Sequence, residues 1–116
     1  SLGFIGNINS IPTLNTLLND YEPNIRWDAA IALAKMGEKS SIPIIKNLMD
    51  RDYLMTFPEL DYNEVNKVIM IAIETSSLIA DSRFESNLKK LANYDENLKI
   101  RDAAIKTLKS TYDKVI

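Results

Sequence analysis

The strongest constraint on this chain is that it repeats itself. Shifted by 31 residues, Ser1–Asp20 falls on Ala32–Arg51. Leu2 meets Leu33, Gly6 meets Gly37, Ser10 meets Ser41, Ile11 meets Ile42, Pro12 meets Pro43 and Leu17 meets Leu48. Leu14 meets Ile45, and Leu18 meets Met49. A fixed period of this size marks a stacked array, in which each unit covers the apolar face of its neighbour. The matched positions also have local meanings. Gly6 and Gly37 are helix terminators, because glycine takes positive φ at no steric cost. Ser10 and Ser41 are N-cap candidates, with proline tolerated in the first turn that follows. The Leu, Ile and Met positions lie at i, i+3 and i+4 and form one apolar stripe.

A second match lies further along. Asn24-Ile25-Arg26-Trp27-Asp28-Ala29-Ala30-Ile31 resembles Lys99-Ile100-Arg101-Asp102-Ala103-Ala104-Ile105, with Asp20 over Asp95 and Leu33 over Leu108. Small alanines at a helix start let a neighbouring helix approach closely. The resulting expectation is alternating A and B helices over residues 11–19, 24–36, 42–50, 62–80, 82–93 and 97–112. Residues 2–6 read as the tail of an earlier helix. Val68-Ile69-Met70-Ile71-Ala72-Ile73 is a continuous apolar run and, taken alone, fits a buried strand. The long surrounding segment without glycine or proline, and its place in the repeat, predict a helix there. Its apolarity on every side suits the middle pair of three, covered by both neighbours.

Ser10–Gly37 resembles the HEAT family, in particular the short bacterial HEAT-like repeats also found in phycobilisome lyases. Its residues are Ile11-Pro12-Thr13-Leu14, Leu17-Leu18, Asp20, Ile25-Arg26, Ala29-Ala30, Ala32-Leu33 and Gly37. The third unit keeps Asp95, Ile100-Arg101, Ala103-Ala104 and Leu108. The second departs: Asn66 stands about where the arginine is expected, and the alanine pair is missing. The resemblance implies an all-α, right-handed α-solenoid of about three antiparallel helix pairs. Its units are 1–9 (partial), 10–40, 41–81 with an insertion at 51–62, and 82–116. It also implies a structural ladder between neighbouring repeats, built from Asp20, Arg26, Asp95 and Arg101.

Composition narrows the function. The chain has neither cysteine nor histidine. That removes disulfides, thiolate nucleophiles and the commonest general base and metal ligand. The net charge is −2, against the basic excess usual in a nucleic-acid binder. No apolar run reaches the roughly 18 residues of a membrane span. No P-loop or dinucleotide fingerprint appears. The carboxylate pairs Asp50 with Asp52 and Glu59 with Asp61 lie in or beside a loop, without the ordered spacing of a metal-binding loop. No catalytic residue, cofactor or metal is expected. A cytoplasmic setting is compatible with the cysteine-free composition.

Three features are candidates for function. The insertion carries Tyr53, Met55, Phe57 and Tyr62, types enriched at interface anchors. It either contacts a partner or folds back to cover the end of the core. The outer stripe of the B helices holds Trp27, Ile31 and Lys35, then Lys67 and Glu74, then Asp102 and Lys106. Solenoids commonly bind along such inner helices, although Trp27 can equally pack on the next repeat. The N-terminal edge, with Leu2, Phe4 and Ile5, looks like half a repeat without its polar cap. We therefore expect a piece of a longer array, or an edge that self-associates. The expected function is a protein-interaction scaffold whose partner is another protein or the rest of the array. A lyase-type role and nucleic-acid binding through Lys35, Lys67, Lys106 and Lys109 are the alternatives.

Overall fold

The computed structural model describes residues 11–112. The seven α-helices there are α1 (Ile11–Leu17), α2 (Pro23–Lys35), α3 (Ile42–Leu48), α4 (Arg51–Leu54), α5 (Tyr62–Ile79), α6 (Glu85–Tyr94) and α7 (Leu98–Thr111). No strand occurs among the described residues, so Val68–Ile73 is helical, as its surroundings predict. The expected half-repeat at Leu2, Phe4 and Ile5, with Gly6 and Ser10, lies outside the described residues.

The helices pack as antiparallel pairs, α1 on α2, α3 on α5 and α6 on α7, while α2, α5 and α7 lie side by side. This is an all-α solenoid, with A helices α1, α3 and α6 and B helices α2, α5 and α7. Ala29, Ala30, Ala32 and Ala34 are all buried, which lets α2 approach α1, α3 and α5 at once. Ala29 packs with Leu14 and Leu33, while Ala30 and Ala34 join the main core with Ile45, Leu48, Ile69, Phe84 and Leu88. Truncating one such fully buried leucine costs about 2–5 kcal/mol.

Local chemistry sets the helix ends. Pro23 occupies the first turn of α2. Glu38 N–H donates to Leu33 O at 2.9 Å and Gly37 N–H to Ala34 O at 3.0 Å, closing α2 through Gly37 at φ 78°. The corresponding end of α5 falls on Ala80, held at φ 54° without glycine's freedom. Asp61 and Glu64 form a capping box at the start of α5. Asp50 caps α4, and Asn97 caps α7. One expected cap is not made: Ser41 sits in a 3-10 turn over Lys39–Ser41, and its hydroxyl donates backward to Glu38 O at 2.8 Å. With αR backbone at Ser41, the first turn of α3 gains no side-chain acceptor.

The insertion is not a plain loop. After Asp50 the chain makes the short helix α4, then turns back, so that Leu54 is buried and Tyr53, Phe57 and Leu60 pack on the core. Phe57 meets Trp27 edge-on with ring centroids 5.1 Å apart, and Tyr53 meets Phe57 at 5.2 Å. Of the two readings of this segment, covering the core describes Tyr53 and Phe57.

Candidate partner-binding face

The outward side of the B helices is built by the period of α5. Val65, Ile69, Ala72, Ile73 and Ser76 point inward and are buried. The opposite stripe is Lys67, Ile71, Glu74 and Leu78, at i, i+4, i+7 and i+11. All four are exposed, Ile71 by 40 % and Leu78 by 58 %, and Met70 beside them by 40 %. The apolar run of α5 is thus not buried all round, contrary to the expectation from its place between two neighbours. The flanking B helices cover its sides and leave the outward ridge open.

A groove runs on each side of this ridge. The one between α2 and α5 has a volume of about 340 Å³, with Trp27, Asp28, Ile31, Glu64, Val68 and Ile71 among its walls. The one between α5 and α7 measures about 370 Å³ and is lined by Asn66, Lys67, Met70, Ile71, Asn97, Lys99 and Ile100. Both are within the size range of small binding sites. The lysines of this face alternate with acids, and Lys106 is paired with Asp102 at 3.1 Å.

The residues singled out from sequence divide between core and surface. Trp27 is only 7 % exposed, so it is a core side chain whose margin reaches the α2–α5 groove. Ile31 is half-buried in the same groove, and Lys35 is exposed. Tyr53 and Phe57 are half-buried inside the aromatic cluster. Tyr62 is 47 % exposed, with the Arg51 guanidinium 5.4 Å from its ring centroid.

The expected ladder has different partners. Asp20 accepts from the Glu22 backbone N–H at 2.9 Å, and Arg26 donates to the carbonyls of Asp20 and Tyr21 at 2.8 and 3.1 Å. Arg101 reaches Ala92 O at 3.5 Å. Both arginines therefore bond to backbone carbonyls within their own units. Asp95 does bridge two units, but to Arg51, through bonds of 2.9 and 3.0 Å. Arg51 also donates to Asn66 Oδ1 at 2.8 Å, while Asp95 accepts from Asn97 N–H at 3.0 Å. The Asp95 hydrogen bond raises the Arg51 pKa above its ordinary value. This network borders a cleft of about 300 Å³ that touches Asp50, Asp52, Lys90 and Glu96 as well as Met49, Leu91 and Tyr94.

Among the described residues, the acidic side chains that border these clefts do not converge on one point. No group of three or more acidic side chains is gathered there as a metal site. Asp50 and Asp61 spend their carboxylates on capping α4 and α5. No described helix is long and apolar enough to cross a membrane.

Met70, Ile71 and Leu78 were not among the residues picked from sequence, although the signal was present. Ile71 stands four residues after Lys67 and three before Glu74, on the same outward stripe. The apolar run around it reads as core and hides that position.

A family model described as HEAT repeats matches residues 1–54. The match names no lyase, and it ends with α4, before the B helix that lacks the arginine and the alanine pair. No curated protein matches the sequence. Proteins built from HEAT repeats commonly act as interaction scaffolds. The repeat match over its first two A helices, with an all-helical solenoid continuing past it, supports a likeness of this chain to the HEAT-like repeat family.

Proposed function

We propose that this chain is a protein-interaction and scaffolding module with no catalytic activity of its own, and that it binds through the outward face of α2, α5 and α7. The observation that carries this reading is the ridge of α5. Ile71, Leu78 and Met70 hold apolar area in water together on one helix, where Ile71 borders two grooves; Tyr21, Met55, Tyr94 and Leu98 are exposed as well, but on other elements and turns. Covering a half-exposed residue of this size is worth about 1 kcal/mol, so three together with the walls of two grooves can support a specific contact. Trp27 and Phe57 serve that face indirectly, by fixing α2 and the insertion beneath the α2–α5 groove.

The test is site-specific photo-crosslinking in cells. A photoreactive amino acid at Leu78 or Glu74 on the ridge is compared with one at Asn47 or Lys89 on the A helices, all exposed positions. Discrete adducts from the ridge alone support the reading. Adducts only from the A helices, or from neither face, remove it.

A further inference from the structure

The groove between α5 and α7 has a chemical bias that its neighbour lacks. Its floor is apolar, formed by Met70, Ile71 and the buried Ile100. Its ionisable lining is Lys67 and Lys99, both exposed, with neither engaged in an ion pair among the described residues. The two asparagines complete the pattern. Asn66 Oδ1 is taken by Arg51 at 2.8 Å, and Asn97 Oδ1 accepts the backbone N–H groups of Lys99 and Ile100 at 2.9 and 3.2 Å. Arginine and backbone N–H can only donate, so both amides are fixed with oxygen toward those partners. Their NH₂ groups make no hydrogen bond to described residues. The polar side chains lining the groove thus offer free donors while their acceptors are occupied. The α2–α5 groove shares Lys67 but adds the carboxylates of Asp28 and Glu64.

We infer that the α5–α7 groove takes a protein segment whose apolar side chains are flanked by aspartate or glutamate. The apolar residues seat on Met70 and Ile71, and the carboxylates accept from Lys67, Lys99 and the asparagine amides. Charge complementarity specifies the occupant: a neutral or basic segment leaves these donors facing no acceptor, or a like charge. The proposal rests on the interaction-module reading and adds the partner's chemistry to it.

Three fluorescein-labelled peptides test this by anisotropy against the whole chain. Each is about a dozen residues long with the same leucine stripe, flanked by glutamate, glutamine or lysine. We expect the glutamate peptide to bind about three- to tenfold tighter than the glutamine one and tighter still than the lysine one. The margin closes between about 0.05 and 0.5 M salt, as expected for exposed charges. Lys67→Glu combined with Lys99→Glu reverses the order, and Ile71→Glu abolishes binding of all three. Circular dichroism confirms that these exposed substitutions leave the fold intact. Equal binding of all three peptides, each lost with Ile71→Glu, overturns the charge assignment while leaving the interaction module standing. A preference for lysine, an order unchanged by the charge reversal, or no binding by any peptide also overturns it. If ridge crosslinks are absent as well, the module reading falls with it.

Discussion

Removing the Arg51 side chain breaks the one described ion pair in which both partners are largely hidden. The Arg51 side chain is 12 % exposed and that of Asp95 2 %. In Arg51→Met the chain loses two charge-assisted hydrogen bonds to Asp95 and one to Asn66, but keeps most of the side-chain volume. Asp95 is left as a buried carboxylate held by the Asn97 N–H. Stranding such a charge costs about 3–5 kcal/mol, far above the roughly 0–1 kcal/mol of a surface pair. With an unfolding entropy of about 2.1 cal/mol/K per residue over 116 residues, 3 kcal/mol lowers Tm by about 12 °C. Urea unfolding followed by circular dichroism measures the loss, with Asp95→Asn and the double variant completing a cycle. The asparagine keeps an acceptor for Asn97 N–H, so the double variant recovers most of the stability, giving a coupling of at least about 2 kcal/mol. Low exposure also makes the loss insensitive to salt. A cost below about 1 kcal/mol, or simple additivity in the double variant, refutes the claim that this pair locks the insertion to the third unit.

Ala80→Gly raises stability by roughly 0.5–1 kcal/mol, because glycine accepts φ 54° without strain, and Gly37→Ala at φ 78° lowers it by about 1 kcal/mol although open space surrounds its Cβ. Opposite shifts of the urea midpoint check both. Trp27 is the sole tryptophan, so its emission reports the cluster directly: Phe57→Ala shifts it to the red and costs about 2–3 kcal/mol, and an unchanged spectrum means that the insertion does not cover it. The hydrogen bond from the Arg83 guanidinium, with help from Arg83 N–H, holds the Asp81 carboxyl down to about 2. Its folded pKa lies below the unfolded value near 3.9, so its contribution is present above about pH 4 and is lost as pH falls toward 2. Asp81→Asn removes that part of the acid dependence, measured by urea midpoints across this window. Burial pushes the Tyr112 hydroxyl up to about 12, so the folded state disfavours its phenolate. Stability from this group is complete below about pH 10 and declines toward pH 12; Tyr112→Phe flattens that alkaline limb.

The parts of the fold that could be read in advance are those where local and repeat-level signals agree. Pro12, Gly37, the alanine pairs and the Leu/Ile stripes each specify one local geometry, and the repeat places them in register. The misreadings have two causes: a neighbour distant in sequence for Trp27 and Ile71, and a competing local turn for Ser41. Trp27 reads either as an outer anchor or as packed on the next repeat, and it is core because Phe57 folds back onto it. Ser41 looks like a cap until the 3-10 turn before it takes its hydroxyl. Ile71 looks buried within an apolar run, because the run does not state how far around the helix its neighbours reach.

The second unit shows most clearly how a departure from the repeat can serve the surface. Asn66 stands about where the first and third units carry Arg26 and Arg101. Those arginines bond to carbonyls of their own units. In the second unit the guanidinium comes instead from Arg51, at the head of the insertion, and reaches across to Asp95. Two consequences follow from that displacement. Asn66 Oδ1 is held by Arg51, which leaves the amide nitrogen as a donor beside the α5–α7 groove. Asp95, held by the same arginine, accepts from the N–H of Asn97, the other asparagine of that groove. The insertion therefore does more than cover Trp27: its first residue helps set both asparagines in the wall that we assign to an acidic partner. Arg51→Met accordingly weakens the glutamate peptide along with the fold. If, below the unfolding transition, that variant binds the peptide as tightly as the parent chain, the insertion and the groove are independent.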